Sequence, residues 1–125
     1  MLASHDGALW VGTQDGVYRR APGGAAFERV RLDDGRRLAG NINALVEGAG
    51  GIWVGGNSGL HHALPGRNSL QRVRALQEHD QLKPQVLGLL VGRGDVLWID
   101  TSAGLHRLMP WDGQQARFEA LAASG

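Results

Sequence analysis

Apolar residues in this chain come in short runs, each closed by a glycine-rich polar turn, and no stretch shows a convincing 3.6-residue period. Three runs line up: Leu9-Trp10-Val11-Gly12-Thr13, Ile52-Trp53-Val54-Gly55-Gly56 and Leu97-Trp98-Ile99-Asp100-Thr101. Their tryptophans are 43 and 45 residues apart. Six positions after each comes Gly16, Gly59 or Gly104, and twelve positions after comes Pro22, Pro65 or Pro110. Downstream, Phe27-Glu28-Arg29-Val30 matches Leu70-Gln71-Arg72-Val73 and, after a longer turn at 111–115, Phe118-Glu119-Ala120-Leu121. Upstream, Leu38, Asn41, Ile42 and Leu45 match Leu82, Gln85, Val86 and Leu89 at a constant offset of 44.

Each unit reads as four short strands. The first covers 43–47, or 86–90 in the next copy; the second carries the tryptophan; the third starts at the repeated glycine. The proline then stops that strand, because it has no N–H to give to a sheet ladder. The Phe27 or Leu70 segment is the fourth, and 70–79 reads as a strand running into a loop. Four strands in a unit of this length is the size of a propeller blade. The expected fold is therefore all-β: a β-propeller fragment of three four-stranded antiparallel blades in an incomplete ring, with units at about 1–32, 38–75 and 82–122. Trp111-Asp112 is a Trp-Asp pair, but it occurs once and in a turn, so it does not mark a WD-type repeat.

Composition narrows the chemistry. The 20 glycines fit many tight turns. There are no cysteines, which removes disulfides, thiolate metal sites and cysteine nucleophiles. Thirteen basic against 12 acidic residues leave a net charge of +1, which argues against a dedicated nucleic-acid or membrane-surface binder. The arginines between Arg19 and Arg37 are interrupted by Asp33 and Asp34 and read as a solvated mixed-sign surface. No apolar run is long enough to span a membrane. Residues 1–7 lack the basic and apolar regions of a signal peptide, so the chain is expected either to stay in the cytoplasm or to start upstream.

The runs Leu9-Trp10-Val11-Gly12-Thr13 with Gly16-Val17-Tyr18, Ile52-Trp53-Val54-Gly55-Gly56 with Gly59-Leu60-His61, and Leu97-Trp98-Ile99-Asp100-Thr101 with Gly104-Leu105-His106 resemble the two-component regulator propeller repeat. The resemblance covers nearly the whole chain. It implies blades of a seven-bladed propeller in the periplasmic sensor region of hybrid histidine kinases or of some diguanylate cyclases. It also implies ligands that include carbohydrate fragments, no cofactor, and no shared catalytic residue. Two positions depart from the pattern: Asp100 stands where the other copies have glycine, and Gly56 where they have threonine. Both read as drift. Propellers close with roughly four to eight blades, so three blades imply a fragment, or an arc completed by remaining blades or by other copies of the chain.

The candidate chemistry is sparse. His61 and His106 share a repeat column with Tyr18, and His62 shares one with Arg19 and Arg107, which suits packing on strands better than metal binding. His61 and His62 are adjacent and point to opposite faces of a strand, so they are not expected to share an ion. Glu78-His79-Asp80 is a polar loop cluster. Gly48-Ala49-Gly50-Gly51 precedes no helix and reads as a hairpin turn, and no serine sits in a Gly-x-Ser-x-Gly elbow. The repeated tryptophans read as packing between blades, with Trp53 flanked on both sides and Trp111 an exposed turn residue.

In a four-stranded blade, the loops entering the first strand and those joining the second to the third lie on one face. That face would collect Asn41, Asn43, Gln85, Asn57 and Asp15, the expected ligand-binding residues. Amides both donate and accept hydrogen bonds, which suits hydroxyl-rich ligands; the alternative is that they only satisfy nearby backbone. The leading expectation is a non-catalytic sensor segment that binds a small polar or carbohydrate ligand. The alternatives are a structural or protein-interaction propeller and, behind it, an enzyme resembling virginiamycin B lyase, which would need an acid–base pair at the channel.

Overall fold

The computed structural model describes residues 1–48, 50–73 and 85–108, with the backbone alone of 118–121. These form three sheets. The first holds β1 (Leu2–Ala3), β2 (Leu9–Thr13), β3 (Gly16–Arg20) and β4 (Phe27–Arg29). The second holds β6 (Ile42–Gly48), β7 (Gly51–Gly56), β8 (Gly59–Ala63) and β9 (Ser69–Arg72), joined at its edge by β5 (Arg31–Leu32). The third holds β10 (Val86–Val91), β11 (Leu97–Thr101), β12 (Gly104–Leu108) and β13 (Phe118–Leu121). Among the described residues the one helical turn is the 3-10 turn Arg93–Asp95. The chain is all-β, as its repeat predicts. The strand Ser69–Arg72 fits the expected fourth strand, while 74–84, Trp111 and the Glu78-His79-Asp80 cluster lie outside the described residues.

The β2–β3, β7–β8 and β11–β12 hairpins close at Gly16, Gly59 and Gly104, whose φ angles are 106°, 100° and 122°. Side chains pay a steric penalty in that region, and glycine does not. Thr13 and Thr101 add a second lock, each donating its hydroxyl to the carbonyl of that glycine, at 2.9 and 2.7 Å. The middle hairpin has Gly56 at that position for a steric reason rather than through drift. A Cβ there would lie 2.2 Å from the Asn41 carbonyl oxygen.

Alternation gives each sheet two faces. On the second sheet, Ile52, Val54, His61 and Ala63 face the first sheet, and Trp53, Gly55, Leu60 and His62 face the third. One core therefore lies between sheets one and two, around Trp10, Val17, Leu38 and Val54; the other lies between sheets two and three, around Leu60, Val86, Leu97 and Ile99. Burying a side chain of this size stabilises by about 1.5–3 kcal/mol. The innermost strands make the seams: β6 packs on β1 and β2, and β10 packs on β6 and β7.

The expectation of three four-stranded antiparallel units needs one amendment. The middle sheet has five strands, because β5 pairs in parallel with β9, Arg31 opposite Ser69 and Leu32 opposite Leu70. After leaving the outer edge of sheet one, the chain must return to the innermost position of sheet two. Its path crosses the outer edge of that sheet, where unpaired backbone groups await a partner. The Asp33 N–H continues the contact by donating to the Leu70 carbonyl at 3.0 Å.

Candidate functional site

The strands β6 and β10 each carry a register irregularity at their start, between Ile42 and Ala44 and between Val86 and Gly88. Such a bulge re-aims the side chain at the extra residue. In β6 that residue is Asn43. Its amide Nδ2 donates across the seam to the Val86 carbonyl at 2.8 Å, and its Oδ1 accepts from Asn41 Nδ2 at 2.7 Å. The expected pair Asn41 and Asn43 is thus brought together, and it is tied to the start of the third sheet.

Gln85 immediately precedes Val86, so it lies at the same end of the same seam. Its backbone N–H donates to Ser102 Oγ at 3.0 Å, and its carbonyl accepts from the Ser102 N–H at 2.9 Å. No bond joins its side-chain amide to Asn41 or Asn43. Asn57 is exposed in the β7–β8 turn and donates its backbone N–H to the Asn41 carbonyl at 3.0 Å. The Asn57 and Ser102 bonds are the same contact in two repeats: the second-to-third-strand turn is pinned to the residue that leads into the first strand.

Asp15 occupies that turn in the first sheet, in different company. Arg29 Nη2 lies 2.8 Å from its carboxylate and 2.7 Å from the Tyr18 hydroxyl, and Arg37 lies 3.8 Å from the same carboxylate. The Arg29 hydrogen bond, followed by its charge, holds the Asp15 carboxyl below the usual aspartate range. Reading the arginines as a solvated surface missed this cluster of Arg29, Tyr18 and Arg37; the signal available was that Arg29 and Arg72 share a repeat column.

The opposite end of the sheets holds a cleft of about 510 Å³ lined by Asp6, Trp10, Glu47, Ile52, Arg67 and Asp95. Two of its acids are engaged in structure. Glu47 accepts the His5 N–H at 2.9 and 3.0 Å, stitching sheet one to sheet two. Asp6 accepts from the Ser4 hydroxyl and the Ala8 N–H, and lies 3.9 Å from Arg19. These contacts, the Ser4 bond first, lower the Asp6 carboxyl from its usual range. The sequence reading did not single out this cleft.

No family model and no curated protein matches the chain. In shape it is similar to the extracellular domain of a protein from B. thetaiotaomicron designated a hybrid two component system, with a TM-score of 0.69 and 20% identity. The match covers 96% of this chain and 16% of that one. The likeness establishes the fold, and the chain spans only that small share of its neighbour's length.

His61, His62 and His106 take packing positions. His61 faces sheet one and is buried, and desolvation, followed by the charge of Arg72, lowers its pKa to about 4. His62 points the other way, stacks on Trp53 with ring centroids 4.1 Å apart, and meets the Gly50 carbonyl at 2.6 Å. His106 is buried with Nδ1 3.4 Å from Thr101 Oγ1. Among the described residues no three His, Asp or Glu side chains are grouped to hold a metal ion. What the Asn41 end offers is neutral hydrogen-bonding capacity: Asn41 Oδ1 accepts nothing from the described residues, and each amide nitrogen keeps a second N–H.

Proposed function

We propose that the three sheets are consecutive blades of a β-propeller serving as a non-catalytic sensor segment outside the cytoplasm, with a small polar or carbohydrate ligand received at the Asn41 end. The observation that carries this reading is the relay from Asn41 through Asn43 to the Val86 carbonyl. Asn43 is engaged at both ends of its amide. It therefore holds Asn41 in a fixed orientation, and Asn41 keeps its carbonyl oxygen and one N–H for a sugar hydroxyl. Gln85 and Asn57 flank the same seam and supply further amides, while Asp15 belongs to the rim. The shape shared with an extracellular domain of a two-component protein supports the sensing role and the location.

Calorimetric titration of the full-length protein with a panel of oligosaccharides tests the reading. Removing one neutral hydrogen bond costs about 0.5–1.5 kcal/mol, so Asn41→Ala should weaken binding by a few-fold to roughly tenfold. Gln85→Ala should weaken it less. A saccharide that binds the parent and both variants equally would place the site elsewhere.

A further inference from the structure

The two seams use the same device. Ile42 and Leu45 of β6 press on Gly12, where a Cβ would sit 2.6 Å from Ile42 Cγ2 and 3.7 Å from Leu45 Cδ1. Val86 and Leu89 of β10 press on Gly55 in the same way, and a Cβ there would sit 2.3 Å from Val86 Cγ1 and 3.4 Å from Leu89 Cδ1. A β-branched plug in one sheet thus enters a glycine socket in the sheet before it. Contact this close leaves no room for any side chain at the socket.

The third sheet repeats the strand and changes the socket. Asp100 stands two residues after Trp98, as Gly55 stands two after Trp53. It pairs across the sheet with Gly88 and Leu105 on the face turned away from sheet two. No described sheet covers that face, and beside Trp98 with Arg107 over its ring it presents exposed leucines: Leu90 is 64% exposed and Leu105 41%. Asp100 is exposed and forms no ion pair with a described residue.

We propose that this face docks a further β-sheet whose innermost strand carries a lysine or arginine where Ile42 and Val86 stand. Continuity supplies the kind of partner, because the corresponding face of sheets one and two is covered by the next sheet along. Sterics remove the β-branched plug, since the Asp100 side chain fills its socket. Electrostatics selects the replacement: covering an unpaired carboxylate with apolar groups is costly, whereas a cation restores a charged partner. The long aliphatic stem of lysine or arginine would lie over Leu105 while its head meets the carboxylate. Asp100 is then a specificity residue, rejecting sheets with the plug used inside this chain and accepting one with a basic residue. The proposal rests on reading the sheets as an array and is independent of the ligand.

A double-mutant cycle tests it. The full chain is extended at its C-terminus by a second copy of residues 33–73, which brings its own Ile42. Four proteins are compared by hydrogen exchange of the appended strands: with Asp100 kept or Asp100→Gly, and with Ile42→Lys in the appended copy or not. Docking is expected for Asp100 with Ile42→Lys and for Asp100→Gly with the parent plug, each slowing exchange roughly tenfold or more over the mismatched pairs. Equal protection of the parent plug on Asp100 would overturn the proposal. Protection only with Asp100→Gly and the parent plug would leave the array reading standing and remove the cationic partner. Protection in none of the four would remove both.

Discussion

Sheets one and two are built from the same repeat columns, yet their front faces, those turned toward the preceding position, differ. In sheet two that face carries Ile52, Val54, His61 and Ala63, and all four are buried against sheet one. In sheet one the same columns carry Leu9, Val11, Tyr18 and Arg20, and all are half-buried. Arg20 lies over the Phe27 ring at 5.6 Å and Arg29 over the Tyr18 ring at 5.0 Å. The repeat therefore dictates backbone and strand order, while the neighbour decides which columns must be apolar. A column that faces water in this chain takes an arginine where its covered counterpart takes an alanine.

The tryptophan column gives the largest effect by which to break this comparison. Trp10 is 2% exposed, sealed between sheet one and sheet two. Trp10→Ala should cost about 3–5 kcal/mol. Trp98 is half-buried on the side of sheet three that no described sheet covers, with Arg107 over its ring at 5.6 Å. Its replacement by alanine should cost clearly less in the same urea melts, and equal losses would mean that the neighbouring sheet does not decide the burial energy.

Next in size is acid. His61 is 1% exposed, and its Nε2 has no hydrogen-bond partner. Its folded pKa of about 4 lies below the ordinary value of 6.5, so the unfolded chain binds the proton more readily. Stability from this group is intact above pH 6.5 and is lost as pH falls toward 4. The loss reaches at most about 3 kcal/mol by linkage. Melts between pH 7 and 4 should show a slope that His61→Gln reduces; an unchanged slope would assign it to other groups.

A smaller effect isolates the front faces themselves. Val54 is fully buried and Val11, its counterpart, is half-buried. Val54→Ala should cost about 2 kcal/mol, and Val11→Ala less than about 1 kcal/mol. Equal costs would show that the first sheet's front face is as well packed as the second's.

The sequence made the sheets legible because their signals are local: a tryptophan, a turn glycine and a terminating proline recur in every unit. The seams were not legible, because they join residues from different units. Gly12 and Gly55 appear in the motif, but the reason for them is Ile42 and Val86, side chains that reach in from the next sheet. Asp100 therefore looked like drift. The same holds for β5, two residues with no alternation to announce a strand, which pair only because the chain's path crosses β9. Trp53 reads as flanked on both sides; it is half-buried, packed on the core between sheets two and three with one ring face taken by His62, while Trp10 is 2% exposed. At the candidate site, the shared column placed Asn41 and Gln85 at equivalent positions, and spacing placed Asn43 beside Asn41. The bond from Asn43 to the Val86 carbonyl depends on a bulge and a seam, neither of which leaves a pattern in one chain.

That bond sets the smallest effect. In β6 the bulge residue is Asn43, which has the third sheet beside it; in β10 the corresponding residue is Leu87, which is exposed and has no further sheet beside it among the described residues. If the neighbour decides each column, Asn43 acts first as a stitch between sheets. Asn43→Ala leaves the Val86 carbonyl without its donor and should cost about 0.5–1.5 kcal/mol. Asn43→Asp, which keeps the shape, removes the donor and sets a carboxylate against that carbonyl, should cost at least as much, and more at pH 7 than at pH 4. Leu87→Ala, in the equivalent place without a neighbour, should be close to neutral. Denaturant melts of the three variants decide the matter: if Asn43→Ala is as neutral as Leu87→Ala, the amide does not hold the seam.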